Sequence, residues 1–260
     1  MAGEERIVDQ FTAQVDRFVR SPHVNAEEPV ARFVAAVAPR GDERALDVAC
    51  GPGLLAKAFA PRVKEFVGVD LTPAMVSRAA KIAREAGLAN ARFEVADALA
   101  LPFPDAAFDL ALTRLALHHM PDPLAALRET ARVLRPGGRL GIFDMTTSEH
   151  AAEAGYHNEV ERLRDPSHAS ALPLSEIVRL AGLAGFDVDR VDTIDWDLDV
   201  EDWILRAESP EEKRALARER IAAAIGTRDL GGKRVRRDVE SGKLYFLQRW
   251  VIVVGTKCHA

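Results

Sequence analysis

Cysteine is scarce. Cys50 and Cys258 are the two thiols in 260 residues, too few for a disulfide framework or a zinc knuckle. No apolar run approaches the ~20 residues of a membrane span, and Met1-Ala-Gly-Glu-Glu has none of the marks of a secretory signal. Neither charge sign dominates: Lys+Arg 35 against Asp+Glu 40 leaves a formal net of −5, which weakens any reading that needs nonspecific nucleic-acid binding. Fourteen prolines and seventeen glycines are too few for a collagen-like or disordered chain, and no internal repeat or low-complexity tract is visible. What is left is a cytoplasmic, metal-independent chain with no nucleic-acid partner and no membrane insertion. Its 48% hydrophobic and 29% charged content suits a cored domain, and 260 residues suffice for one large domain. The oligomeric state stays open, a homodimer included.

The hydrophobic rhythm divides the chain. Ile7, Phe11, Val15, Phe18 and Val19 recur at helical spacing, and after Ser21 to Asn25 a second helix carries Val30, Phe33, Val34 and Val37 on one face. From Ala45 to Asp109 short apolar runs alternate with helical stretches, the pattern of βαβ units on a parallel sheet. Strands are expected at Ala45–Ala49, Phe66–Asp70, Arg92–Ala96, Phe108–Thr113 and Arg139–Met145, with Pro136-Gly137-Gly138 as a turn before the last. Residues 146–173 read as a helical insertion, Leu174–Leu183 as a helix and Phe186–Ile194 as a strand. A charged helical segment, 201–226, and a Gly/Lys/Arg loop, 227–243, precede the β-rich run Leu244–Val254. The expectation is one domain over 1–260: N-terminal lid helices (1–38), a cofactor-binding core (40–145) and cap insertions (146–173 and 195–243).

Three carboxylates fall at the C-terminal ends of successive strands, the edge where ligands bind in open α/β sheets. Asp47 lies four residues before Gly51, and Gly51-Pro52-Gly53 lets the backbone turn sharply and approach a ligand closely. Asp70 stands 23 positions after Asp47, placed to accept two ribose hydroxyls. Asp97, beside the small Ala98, can accept from an exocyclic amine. Helix capping explains any one of these acids, but three in register point to a nucleotide-type ligand. Gly51-Pro52-Gly53-Leu54-Leu55-Ala56 also fits the dinucleotide pattern G-x-G-x-x-A, so an NAD-dependent oxidoreductase is the alternative. Asp47 argues against it, because a buried carboxylate repels a diphosphate. S-adenosylmethionine (SAM) has an ammonium group, a ribose and an adenine, and no phosphate.

These residues carry a specific resemblance. Asp47 to Gly53, Val69 to Met75 and Ala96-Asp97-Ala98 resemble the successive motifs of class I SAM-dependent methyltransferases. Leu101-Pro102-Phe103, Phe108-Asp109, Leu117-His118-His119-Met120 and Leu134 to Gly138 resemble its ubiquinone/menaquinone-biosynthesis-like branch. The resemblance implies an α/β, Rossmann-like, seven-stranded, mostly parallel sheet of order 3-2-1-4-5-7-6. Its last strand is antiparallel, helices cover both faces, and a helical cap is added. It implies SAM as cofactor, with Asp47, Ala49, Gly51 and Gly53 at the methionine end, Asp70 and Leu71 at the ribose, and Asp97 and Ala98 at the adenine. Met75 then packs on the adenine and Arg114-Leu115 borders the methionine moiety, although many relatives have a small or amide residue where Arg114 stands. The activity implied is methyl transfer to an O, N or C acceptor of a small molecule; a SAM-binding protein without methyl transfer is a further reading. His118 and His119 follow the fourth strand and are the candidates for a general base; helix capping or packing is the competing reading. Phe11, Phe18, His23, Tyr156, His157 and His168 are the candidate substrate contacts. Trp196 and Trp203 are read as pocket lining or simple packing, and Lys233 to Arg237 as a solvated basic loop.

Overall fold

The computed structural model describes residues 8–15, 19, 26–227 and 234–259. Phe18, His23 and Lys233 lie outside them. Helix α1 covers residues 8–15. The elements that follow are α2 (Glu27–Val37), β1 (Arg44–Val48), α3 (Ala56–Phe59), β2 (Glu65–Asp70), α4 (Pro73–Glu85), β3 (Ala91–Val95) and β4 (Phe108–Arg114). Then come α5 (Pro123–Val133), β5 (Leu134–Thr147), α6 (Ala151–Arg164), β6 (Leu172–Pro173), α7 (Leu174–Leu183) and β7 (Phe186–Asp199). The chain closes with α8 (Val200–Leu205), α9 (Glu211–Ala223), β8 (Val235–Arg237) and β9 (Leu244–Lys257).

The seven long strands order as β3-β2-β1-β4-β5-β9-β7. Counted along the chain this is 3-2-1-4-5-7-6, as the resemblance implies. The first four neighbour pairs are parallel, and β9 runs antiparallel to both β5 and β7. Successive side chains point to opposite faces of a strand, so each buried strand feeds two cores. Leu46, Val48, Val251 and Val253 join Leu127 of α5 and Leu180 of α7 on one face. Ala45, Ile252 and Val254 join Phe33 of α2 and Phe59 of α3 on the other. Parity places Asp47 with Ala45, and Arg114 with Leu110 and Leu112, on that second face.

The cap begins later than the rhythm suggested. Residues 195–199 belong to β7, which pairs with β9 as far as Asp199↔Tyr245. The alternation Asp195-Trp196-Asp197-Leu198-Asp199 reads as polar in composition, yet its even positions turn inward: Trp196 stacks on Trp250 at 5.8 Å, and Leu198 is buried. The distal half of this pair, with α6, α8, α9 and β8, encloses a third core around Val160, Trp203, Ile204, Ile221 and Phe246. Trp203 packs edge-on against Phe246 at 5.1 Å there. The Pro136-Gly137-Gly138 segment is likewise part of an extended β5, with a register shift against β4 between Phe108 and Leu110.

Candidate active site

The chain leaves β1 in an unusual conformation. Ala49 (φ 56°), Gly51 (φ 53°) and Gly53 (φ 77°) all occupy the left-handed region. A Cβ on Gly53 would come within 2.8 Å of the Ala79 Cβ on α4, so glycine is what lets the loop lie against that helix. The turn is tied to β2 through a carboxylate. Asp70 Oδ2 accepts from the Gly51 N–H at 2.8 Å and Oδ1 from the Thr72 N–H at 2.9 Å. Both oxygens keep a free lone pair in a fixed orientation. Burial raises the Asp70 carboxyl above its ordinary value, and these two backbone bonds work against the rise. Thr72 sits at the N-cap of α4 without a capping bond from its side chain. At the end of β3, Asp97 Oδ1 accepts from the Leu99 N–H at 2.9 Å.

Asp47 differs from the other two. It is buried within β1, and neither carboxylate oxygen has a hydrogen-bond partner. Burial pushes its carboxyl well above the usual range, Arg114 draws it back and Asp70 adds to the rise. Arg114 is itself pushed down to about 10 by burial, against the pull of Asp47, and its guanidinium lies 5.3 Å over the Phe143 ring. Leu115, one residue on, is left-handed (φ 52°) and donates its N–H to the Phe143 carbonyl at 2.8 Å. Non-glycine residues rarely adopt that region, and both instances at this sheet edge, Ala49 and Leu115, face the same cleft.

That cleft encloses about 1190 Å³, its solvent-facing mouth included. Asp47, Ala49, Gly51, Asp70, Leu71, Met75, Asp97, Ala98, Arg114, Leu115, His119 and Phe11 all line it. Gly53 stands behind the loop instead of on the wall. Sequence reasoning passed over Thr72, Leu99, Met120 and Pro121, which also line it. Tyr156, His157 and His168 are not on its wall. Tyr156 donates to the Arg220 carbonyl and joins α6 to α9; His157 contacts Thr147 and Glu161; His168 contacts Asn158. His157 and His168 are buried in a polar layer under α6, and the half-buried Tyr156 packs within the cap itself.

The two adjacent histidines have different surroundings. His118 Nδ1 lies 2.5 Å from Asp144 Oδ1, while Asp144 Oδ2 accepts from the Ala116 and Leu117 N–H groups. Burial opposes a charge on His118, but the Asp144 carboxylate outweighs it and lifts the ring above its ordinary value. The same pair outweighs burial at Asp144 and holds that carboxyl low. His119 sits 4.1 Å from the His118 ring, and burial together with that neighbour pushes it down to about 4. Its Nδ1 faces the Ser167 carbonyl at 3.1 Å, and the Phe11 ring meets it edge-on at 4.9 Å. One histidine is thus anchored on a carboxylate that favours its charged form; the other is a ring at the cleft wall whose surroundings favour the neutral form. Asp144 was the missed residue with a visible signal, a lone acid inside the apolar run Gly141 to Met145.

Comparison with known proteins follows this geometry closely. A family model described as a methyltransferase domain matches residues 46–142. The chain is similar to a Bacillus subtilis (strain 168) protein described as uncharacterized methyltransferase YcgJ, 38% identical over 179 residues, 67% of this chain and 69% of that one. The crystal structure of YcgJ superposes with a TM-score of 0.83 at 30% identity, covering 90% of this chain and 99% of that chain. The chain is a class I SAM-dependent methyltransferase. This methyltransferase is also 40% identical over 128 residues to a 27-O-demethylrifamycin SV methyltransferase of Amycolatopsis mediterranei, over 48% of this chain and 46% of that one. A demethylmenaquinone methyltransferase of Thermus thermophilus is 42% identical over 115 residues, 44% of this chain and 52% of its own length. The methyltransferase spans about half the length of these last two relatives.

Its cofactor is SAM, and the residues present fit that molecule. Two buried, unbonded carboxylate oxygens on Asp47 are costly alone. They suit an ammonium group and would repel a diphosphate, so an NAD-dependent oxidoreductase is not favoured. Among the described residues no group of side chains is arranged to hold a metal ion, and no helix is long and apolar enough to cross a membrane.

Proposed function

We propose that this methyltransferase acts in the cytoplasm on a small, largely apolar acceptor that must lose a proton, with His119 as the base. The observation that carries this reading is the contrast between the two histidines. His119 reaches the cleft as a neutral ring, next to the apolar Phe11, Leu115, Met120 and Pro121. His118 is held by Asp144 and is not on the cleft wall. The name of the rifamycin relative, a methyltransferase acting at an oxygen of a small molecule, points the same way.

In this reading Asp47 holds the ammonium of the cofactor, Gly51 and Ala49 let the backbone approach it, and Asp70 with Leu71 receives the ribose. Asp97 and Ala98 meet the adenine edge, and Met75, 1% exposed, packs beneath the ring. Arg114 draws the raised Asp47 carboxyl part of the way back toward its ionised form. When bound, SAM supplies a methyl carbon on a sulfonium: the acceptor's electron pair forms the new bond to it, and the methyl–sulfur pair leaves with the neutral thioether. The protein's own work is positioning, exclusion of water and acceptance of the acceptor's proton at His119 Nε2. A base whose conjugate acid titrates near 4 is unprotonated throughout the physiological range.

The test is S-adenosylhomocysteine release over a panel of phenols, alcohols, amines and acidic-carbon compounds. Turnover confined to proton-bearing acceptors, and lost in His119→Ala, is expected. Tight SAM binding with no product from any acceptor would replace methyl transfer with cofactor binding alone.

A further inference from the structure

The cap contributes to the site through one turn. Arg164 to His168 follows α6, and Ala169 and Ser170 donate their N–H groups to the His118 carbonyl at 2.9 and 3.0 Å. The turn is thereby fastened to the backbone that carries both histidines. Within it, the Ser167 hydroxyl donates to Asp165 Oδ1 at 2.6 Å and also lies 3.2 Å from His119 Nδ1. Asp165 Oδ1 accepts the Ser167 N–H at 2.9 Å as well. Asp165 and Ser167 are both buried.

These contacts fix where the His119 proton sits. The Ser167 hydroxyl hydrogen is committed to Asp165, and a carbonyl oxygen cannot donate. Both groups facing Nδ1 are therefore acceptors, and Nδ1 must carry the hydrogen. The lone pair is left on Nε2, which has no hydrogen-bond partner among the described residues, on a ring that lines the cleft. A ring that gains a second proton there becomes an imidazolium beside His118, whose charge already faces Asp144. Asp165 is the carboxylate that reaches the new charge, through Ser167.

We propose that Asp165 and Ser167 are positioning residues that act through His119, holding its Nδ1–H tautomer and balancing the charge the ring acquires when it takes the acceptor's proton. The inference rests on the reading of His119 as a base. The acceptor O–H, N–H or C–H bond breaks and the Nε2–H bond forms, while Nδ1–H stays in place and leans further toward Ser167. Other charged or titratable groups around the turn are Arg164, whose guanidinium is 3.7 Å from Asp165 Oδ2, Glu161, His157 and His168. Arg164 is directed to Glu161 as well, at 3.2 Å, so it spans both acids and supplies no hydrogen bond to His119.

Nitrogen-15 spectra of histidine-labelled protein test this without an acceptor. The wild type is expected to show His119 as the Nδ1–H tautomer. Asp165→Asn should lower its titration midpoint by about one pH unit, because an imidazolium loses its counter-charge. Ser167→Ala, which keeps the backbone carbonyl, should leave the Nδ1–H tautomer in place and lower the midpoint as Asp165→Asn does, and Ser167→Thr, which keeps the hydroxyl, should restore it. SAM affinity by calorimetry should stay the same in all three. With an acceptor from the panel, kcat in Asp165→Asn should fall about tenfold or more with both KM values unchanged. An Nε2–H tautomer in the wild type overturns the proposal, and so does an unmoved midpoint in Asp165→Asn. Should Ser167→Ala fail to fold, Asp165→Asn and Ser167→Thr carry the same comparison. The expected spectra without His119-dependent turnover would retain the relay and discard the base.

Discussion

Asp70 spends one lone pair of each oxygen on backbone N–H groups, which leaves the others for a ligand. Asp70→Ala should weaken SAM binding by about 1.5–3 kcal/mol, the scale of a charge-assisted hydrogen bond; isothermal calorimetry with an unchanged Kd would remove it from the site. Asp47 should betray its environment through protons. Its carboxyl is raised in the free protein, and an ammonium beside it favours the ionised form, so cofactor binding should release protons. Calorimetry in buffers of different ionisation enthalpy reads that release, which should vanish in Asp47→Asn; none in the wild type would mean the carboxylate is ionised from the start. The histidine pair should separate cleanly. His119→Ala should slow turnover by about 10²–10⁴-fold, as expected of a lost general base, and destabilise less than His118→Ala. His118→Ala should destabilise the fold by about 3–5 kcal/mol, because it leaves the Asp144 charge buried without its cation. Kinetics and denaturant melts on the two variants are the check, and the reverse pattern would exchange their roles.

At the scale of elements, the polar layer under α6 makes the cap sensitive to acid. His168 is pushed down to about 2, chiefly by burial, and donates from Nε2 to Asn158 Oδ1 at 2.7 Å. The unfolded chain protonates this ring near its ordinary value of about 6.5 while the folded protein does not, so its contribution to stability falls as pH drops below 6.5. His119 acts in the same direction down to about 4. His118 is raised: its contribution is present below about 6.5 and is lost as pH rises through the folded value. Asp47 and Asp70, both raised, oppose the first two in the free protein, so the clear reading is a difference between proteins. His168→Asn should flatten the dependence of unfolding free energy on pH below 6.5 by up to about 1.4 kcal/mol per unit relative to wild type. Identical slopes would mean that His168 titrates freely.

Local pattern also explains what could be read in advance at this scale. The apolar period of α7 marks Leu174–Leu183 to the residue, and each sheet strand of the core lies within a residue or two of its apolar run, apart from β5, which extends through Pro136-Gly137-Gly138. The end of β7 escaped because its alternate aspartates mimic a solvated segment until β9 is laid beside it. Ser167 and Asp165 escaped for a different reason. Their meaning lies in a hydrogen bond to His119, 48 positions away, and no periodicity records such a partner.

Over the whole molecule, the strand-end acids were legible because a parallel sheet brings the C-terminal ends of β1, β2 and β3 to one edge whatever the loops do. Phe11 and His119 on the cleft wall were legible as well, but the turn after α6 that backs His119 was not, since it meets that histidine only in the fold. One of three 14-residue strands, β9, ties these regions together. β9 carries Phe246 in the cap core and Val251 and Val253 in the sheet core, and β7 pairs with it throughout. Amide exchange at Leu247 to Trp250 should therefore be as slow as at Val251 to Val254, and a fast-exchanging break between them would divide the molecule. This ribbon of about 45 Å runs from the sheet core into the cap core, with one register shift between Val188 and Arg190. At the cleft wall the Phe11 ring leans on His119, so any change at that one ring is felt by the histidine that faces the cleft.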